Sequence, residues 1–179
     1  MKKIILSVLA LLWAGTATAQ IALGGKNNIT NNSVLLEFED GNDNVKGIII
    51  PAVTDANVAL SDNKEKSYGT FLFDKSDKVI KVYERKGWKF LTESETGDLS
   101  LIVSSTNPET AETVGMVIGN DTTDTKGVVV LNHDTKAMVL PKIANPHLNV
   151  KNPYPGMMCY DTEKQFLAIF NGQYWYYWK

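Results

Sequence analysis

"GIIIPAVTD" occupies residues 47–55, and "AMVLPKIAN" occupies residues 137–145, ninety positions later. Both set apolar residues directly before a proline, Pro51 or Pro141, with Ala52 or Lys142 after it. A continuous apolar run such as 48–50 suits a strand covered on both faces. The proline then ends that ladder, because it has no N–H to donate. The likeness returns downstream. "YGTFLFDKSDKVIKVYERKGW" (68–88) matches "PGMMCYDTEKQFLAIFNGQYW" (155–175), and from Gly69 to Trp88 no gap is needed. Apolar, turn and aromatic positions recur in the same order, so the sequence predicts two related units.

Each unit reads as β structure. In the first, 34–38 is a strand, "EDGNDN" turns it, and 70–73, 79–83 and 88–91 form a three-strand meander. The meander turns, "DKSDK" and "ERKG", correspond to "DTEKQ" and Asn171-Gly172 in the second unit. Asn-Gly between apolar runs is a strong hairpin signal, since both residues tolerate positive φ. Three more strands are expected at 99–104, 114–119 and 127–131. Residues 55–60 can form one or two helical turns with Thr54 or Asp55 as cap. Pro146, Pro153 and Pro155 oppose a long helix in the matching stretch. The expectation is an all-β fold of two related antiparallel β-meander units, with at most one short helix near 55–60. The first unit covers 20–95, connecting strands cover 96–126, and the second unit covers 127–179.

The chain begins like an export signal. Lys2 and Lys3 precede an apolar run over 4–13, and Ala17-Thr18-Ala19 is a small-x-small cleavage site. Cleavage is expected after Ala19. Removing nineteen of 179 residues leaves 160, with 16 basic against 20 acidic side chains. That negative balance argues against nucleic acid and against an anionic membrane surface. No later apolar stretch reaches membrane-spanning length, so no insertion is expected after signal cleavage. One cysteine, Cys159, excludes an internal disulfide.

With these residues in view, a resemblance emerges. "SVLLEFEDGNDNVKGIIIPAVTD" (33–55) and the two meander segments resemble a repeat module of exported bacterial surface proteins, of the "KGLLIPRM…YNTDT…NG-W" type. It is similar to phage tail-fibre shafts and adhesin stalks. The resemblance covers most of the chain after residue 19. It implies a structural or attachment module of the cell envelope or surface, with a protein partner there or self-association, including a homotrimer. It brings no catalytic residues.

The residues themselves point away from catalysis. Nucleophilic catalysis needs a base beside its nucleophile. The two histidines, His133 and His147, fall in turns or loops, and Cys159 falls inside an apolar strand, where a small buried hydrophobe is expected. No G-x-S-x-G or H-E-x-x-H occurs. Asp40, Asn42 and Asn44 begin like a calcium loop, but Val45 replaces its glycine and Pro51 its bidentate glutamate, so the stretch reads as an Asx-rich turn. No cofactor is expected. Asn28-Ile29-Thr30 and Asn120-Asp121-Thr122 match a glycan-acceptor pattern, for which a solvated turn is the plainer reading.

The C-terminal "QYWYYWK" alternates aromatics on both strand faces: Tyr174, Tyr176 and Trp178 on one, Trp175 and Tyr177 on the other. Trp175 matches Trp88 and is assigned to a meander core. Tyr174, Tyr176 and Trp178 need another partner. The choices are the chain's own other unit, a protein interface anchored by these rings, or stacking on sugar rings. An attachment module is the leading expectation, and a carbohydrate-binding module using this strand is the alternative.

Overall fold

Pro51 and Pro141 are joints at which one extended segment passes from one sheet to the next. The structure, a computed structural model, describes residues 20–41, 43–60, 67–94, 102, 115–119 and 127–179. In chain order the elements are β1 (Ile21–Leu23), β2 (Val34–Phe38), β3 (Ile48–Ile49), β4 (Ala52–Val53), α1 (Ala56–Ala59), β5 (Phe71–Asp74), β6 (Val79–Glu84), β7 (Gly87–Phe90), β8 (Met116–Gly119) and β9 (Val129–Asn132). They continue as β10 (Ala137–Val139), β11 (Lys142–Ile143), α2 (Pro146–Asn149), β12 (Met157–Asp161), β13 (Phe166–Phe170) and β14 (Trp175–Trp178). This is an all-β fold with little helix. No described helix is long and apolar enough to cross a membrane.

The first meander sheet runs β4-β5-β6-β7, and the second runs β11-β12-β13-β14. Their registers correspond. Val53 pairs with Asp74 and Ile143 with Asp161; Asp74 pairs with Val79 and Asp161 with Phe166; Tyr83 pairs with Trp88 and Phe170 with Trp175. The Phe73 N–H donates to the Pro51 carbonyl at 2.8 Å, and the Tyr160 N–H donates to that of Pro141 at 2.8 Å. The Gly69 and Gly156 N–H groups reach the Tyr83 and Phe170 carbonyls, each at 2.8 Å. Both glycines have φ near +85°, at +85° and +86°, a conformation that a Cβ would strain.

The joints tie the sheets in series. Before Pro51, β3 pairs antiparallel with β12 of the second meander sheet; after it, β4 pairs parallel with β5 of the first. Before Pro141, β10 pairs parallel with β2 in a three-stranded sheet, β1-β2-β10; after it, β11 pairs with β12. Proline suits both places because its missing N–H coincides with the change of partner. The main core cluster draws on both meanders: Ile50, Phe73, Ile80 and Leu91 join Met158 and Ile169.

Three features depart from expectation. The 48–50 run is not covered on both faces: Ile50 is buried, but Ile49 is 54 % exposed, because β3 is a two-residue strand with alternating sides. The meanders are antiparallel, yet β1-β2, β2-β10, β4-β5, β8-β9 and β11-β12 are parallel. A hydrophobic pattern gives a strand's faces but not its partner's direction. β2 is buried at Val34, Leu35, Leu36 and Glu37, as a strand in a parallel sheet usually is. Finally, the described residues hold two helices where at most one was expected. Pro146 opens α2, where a fixed φ and a missing N–H are no handicap. The strand expected at 99–104 lies outside the described residues except for Ile102, as do the signal segment and the 120–122 sequon.

Candidate functional site

The last strand, β14, pairs with β13 and carries Trp178 against the first meander. Trp178 donates its indole N–H to the Leu91 carbonyl at 2.6 Å and packs against the shared core. The Lys89 Nζ stands 5.2 Å from its ring centroid. Of the alternatives for this face, Trp178 thus contacts the chain's other meander. Trp175 and Tyr177, on the opposite face, pack on Ile143, Met157, Cys159, Ala168 and Phe170. Tyr174 remains 53 % exposed, its hydroxyl accepting from Gln173 Nε2 at 3.2 Å.

Beside Trp178 lies an open groove of about 560 Å³. Phe90, Tyr176 and Trp178 supply ring surface, and Asp77, Thr92 and Glu93 supply polar groups. Phe90 is 56 % exposed, while Lys81 Nζ sits 4.8 Å from its ring centroid. The β5–β6 turn brings Asp77 here and the segment after β7 brings Glu93, both more than eighty residues before Tyr176 and Trp178. The sequence showed the rings of 174–178 but not Phe90 or these carboxylates, because nothing local ties positions 77 and 93 to the C-terminus.

The calcium-like stretch is otherwise engaged. Asp40 Oδ2 lies 2.8 Å from Lys26 Nζ and 3.5 Å from Lys142 Nζ, and the hydrogen bond from Lys26 holds its carboxyl below the ordinary value. Lys26 also pairs with Glu37 at 3.2 Å. Burial alone raises the Glu37 carboxyl; hydrogen bonds from the Thr30 hydroxyl and N–H, and from Lys26, outweigh it and bring it down. Asn44 donates to the carbonyls of Glu39 at 3.2 Å and Lys142 at 3.2 Å, and accepts from the Lys46 N–H at 3.0 Å. It ties the turn to the second joint. Asn42 lies outside the described residues. Among the described residues no group of acidic, His or Cys side chains is arranged to hold a metal.

Cys159 and the histidines are apart in role. Cys159 is fully buried, and burial, then the nearby Asp161, pushes its thiol up to about 12. A nucleophilic thiol needs the opposite shift. His147 Nδ1 is 3.0 Å from the Tyr177 hydroxyl, and His133 Nδ1 accepts from the Thr135 N–H at 3.1 Å. Burial pushes Tyr177 up to about 12, aided by Asp161 and Cys159. No family model, curated protein or solved structure matches the chain.

Proposed function

We propose that this chain is a non-enzymatic structural and interaction module of the bacterial cell envelope or surface, built from two copies of a duplicated meander unit. The signal-like start supports export with cleavage after Ala19, to the periplasm, the outer membrane or the cell exterior. The observation that carries the reading is the pair of proline joints. Each hands its leading strand to one sheet and its trailing strand to the next, tying three sheets in series. Apolar surface is thereby used to join one sheet to another through a shared core, as a scaffold needs. The buried, disfavoured thiolate at Cys159 agrees with a non-catalytic role.

Expression of the whole chain in a Gram-negative host tests this. The expected product is an exported protein whose intact mass begins at Gln20 and which sediments with envelope fractions or stays on the cell. A full-length cytoplasmic product would overturn it.

A second reading rests on the groove. Rings at Phe90, Tyr176 and Trp178 beside Asp77 and Glu93 suit a pyranose, whose apolar face stacks while its hydroxyls bond to carboxylates. A glycan array probed with the wild type, Phe90→Ala and Tyr176→Ala checks it. Selective binding lost in both variants supports it, and a blank wild-type array removes it.

A further inference from the structure

The two meanders differ at one edge. Along β12, two short strands share the side opposite β13: β11 pairs with Tyr160 and Asp161, and β3 pairs with Met157 and Met158. In the first meander, β4 takes the counterpart of the β11 place, pairing with Phe73 and Asp74. The counterparts of Met157 and Met158 are Thr70 and Phe71. No described strand pairs with them on that side. The rest of the slot is built alike. The Thr70 N–H donates to the Ser67 carbonyl at 3.2 Å, as the Met157 N–H donates to Tyr154 at 2.9 Å.

We propose that the Thr70–Phe71 edge receives the Met138–Val139 segment of a second copy of this chain, joining copies head to tail by strand addition. This rests on the reading of the chain as a structural module and adds the geometry of its self-association. The occupant follows from the slot filled inside the chain. There the visitor is Ile48–Ile49, the pair that precedes Pro51; the matching pair before Pro141 is Met138–Val139. Among the described strands β10 pairs with β2 alone and stands at the sheet's edge, so no described strand occupies its other side. The internal register, Met157 with Ile49 and Met158 with Ile48, predicts Thr70 with Val139 and Phe71 with Met138 across copies.

Size fits as well. Gly47 precedes β3, and a Cβ there would meet the Met158 carbonyl oxygen at 2.7 Å and two Met157 side-chain atoms at 2.9 Å. Its counterpart is Ala137, which carries that methyl group. Thr70 stands where Met157 would, so the Cε obstacle is gone, while the γ atoms of threonine still stand at the level of the Met157 Cγ. The carbonyl remains, and two separate molecules can take up that offset by a small rigid shift. Main-chain pairing of this kind supplies affinity in strand-addition complexes generally.

Cysteine cross-linking reads the register. Across an antiparallel pair, opposed Cβ atoms lie about 4.5–5.5 Å apart, close to what a disulfide spans. The buried Cys159 stays silent. Whole-chain Thr70→Cys and Val139→Cys are prepared separately, mixed and oxidised. The expected result is a disulfide heterodimer whose bridged peptides contain positions 70 and 139, and a ladder of multimers from the double variant. Ile49→Cys with Met157→Cys, closing a bridge within one chain, verifies the internal template. If that control closes while the mixture gives no 70–139 bridge, the proposal is overturned. A double variant that bridges only within one chain overturns it too. The export and fractionation result is independent of both, so the broader reading can stand when this one falls.

Discussion

Asp74 and Asp161 stand at the same corner of two sheets with the same registers, and only one is neutralised. Asp74 Oδ1 accepts from the Ser76 N–H at 2.9 Å and hydroxyl at 2.7 Å; Oδ2 accepts from the Ala56 N–H at 2.9 Å and from Lys81 Nζ at 2.7 Å. Asp161 Oδ1 accepts three N–H bonds, from Asn145 at 3.2 Å, Glu163 at 2.9 Å and Lys164 at 3.2 Å. Its Oδ2 is buried with no hydrogen-bond partner among the described residues. Two differences account for this. The counterpart of Ala56 is Pro146, which has no N–H, and the counterpart of Lys81 is Ala168, which has no ammonium. The carboxylate is common to both corners because its Oδ1 organises the turn. Among the described residues, an ammonium meets Oδ2 in the first meander alone.

Removing the balancing group should do the most damage. Lys81 is buried between Asp74 and Asp77, at 2.7 Å and 2.5 Å. Lys81→Ala leaves Asp74 ionised and enclosed, an arrangement that costs about 3–5 kcal/mol. Urea unfolding measures it as a lower midpoint at unchanged slope. Asp74→Asn with Lys81→Met should recover most of the loss, because it removes both charges while keeping the volume. A cost for Lys81→Ala below about 1 kcal/mol would break the comparison, since the first corner would then need its ammonium no more than the second.

Acid should separate the corners next. Burial raises the Asp74 carboxyl, but bonds from Lys81, from Ser76 and from the Ala56 N–H outweigh it and hold it at about 2, against an ordinary 3.8. A carboxyl lowered by folding contributes stability above its unfolded value and loses it as pH falls through the folded one. The contribution is about 2 kcal/mol, present above pH 4 and gone near pH 2. Unfolding midpoints across that window should fall in the wild type. The slope should flatten in Asp74→Asn with Lys81→Met.

Much of this architecture was legible in the sequence because it is local. The turns at 75–78 and 162–165, the hairpin pairings and the aromatic alternation of 174–178 each depend on neighbours within a few residues. Lys78 and Gln165 even share positive φ, 61° and 59°, at the last turn position. What the sequence withheld is non-local. Pro51 was legible as the end of a ladder, but not as a hinge between two sheets, because β12 lies over a hundred residues further on. The groove was half legible: its rings announce themselves, while Asp77 and Glu93 reach it only through the packing of one sheet on another. The Asp40 stretch was legible as an Asx-rich turn, but its partner Lys26 was not, because nothing in the pattern ties the two together.

The smallest expected effect is also the most discriminating. Asp161→Asn keeps Oδ1, and with it the three N–H bonds that shape the 162–165 turn. It replaces Oδ2, unpartnered among the described residues, by a neutral amide nitrogen, removing a buried carboxylate that no described ammonium faces. The same change at Asp74 takes away the partner of Lys81 and should cost about 2 kcal/mol, since a hydrogen bond to a charged group is worth about 1.5–3 kcal/mol. At Asp161 the relief of the charge opposes the cost of burying an N–H₂ group without an acceptor, so the net change should stay within about 1 kcal/mol of zero. Thermal and urea unfolding of both variants side by side make the measurement. Equal, large losses would mean that Oδ2 of Asp161 is held as firmly as that of Asp74. The two corners would then be alike in energy despite the missing lysine and the proline.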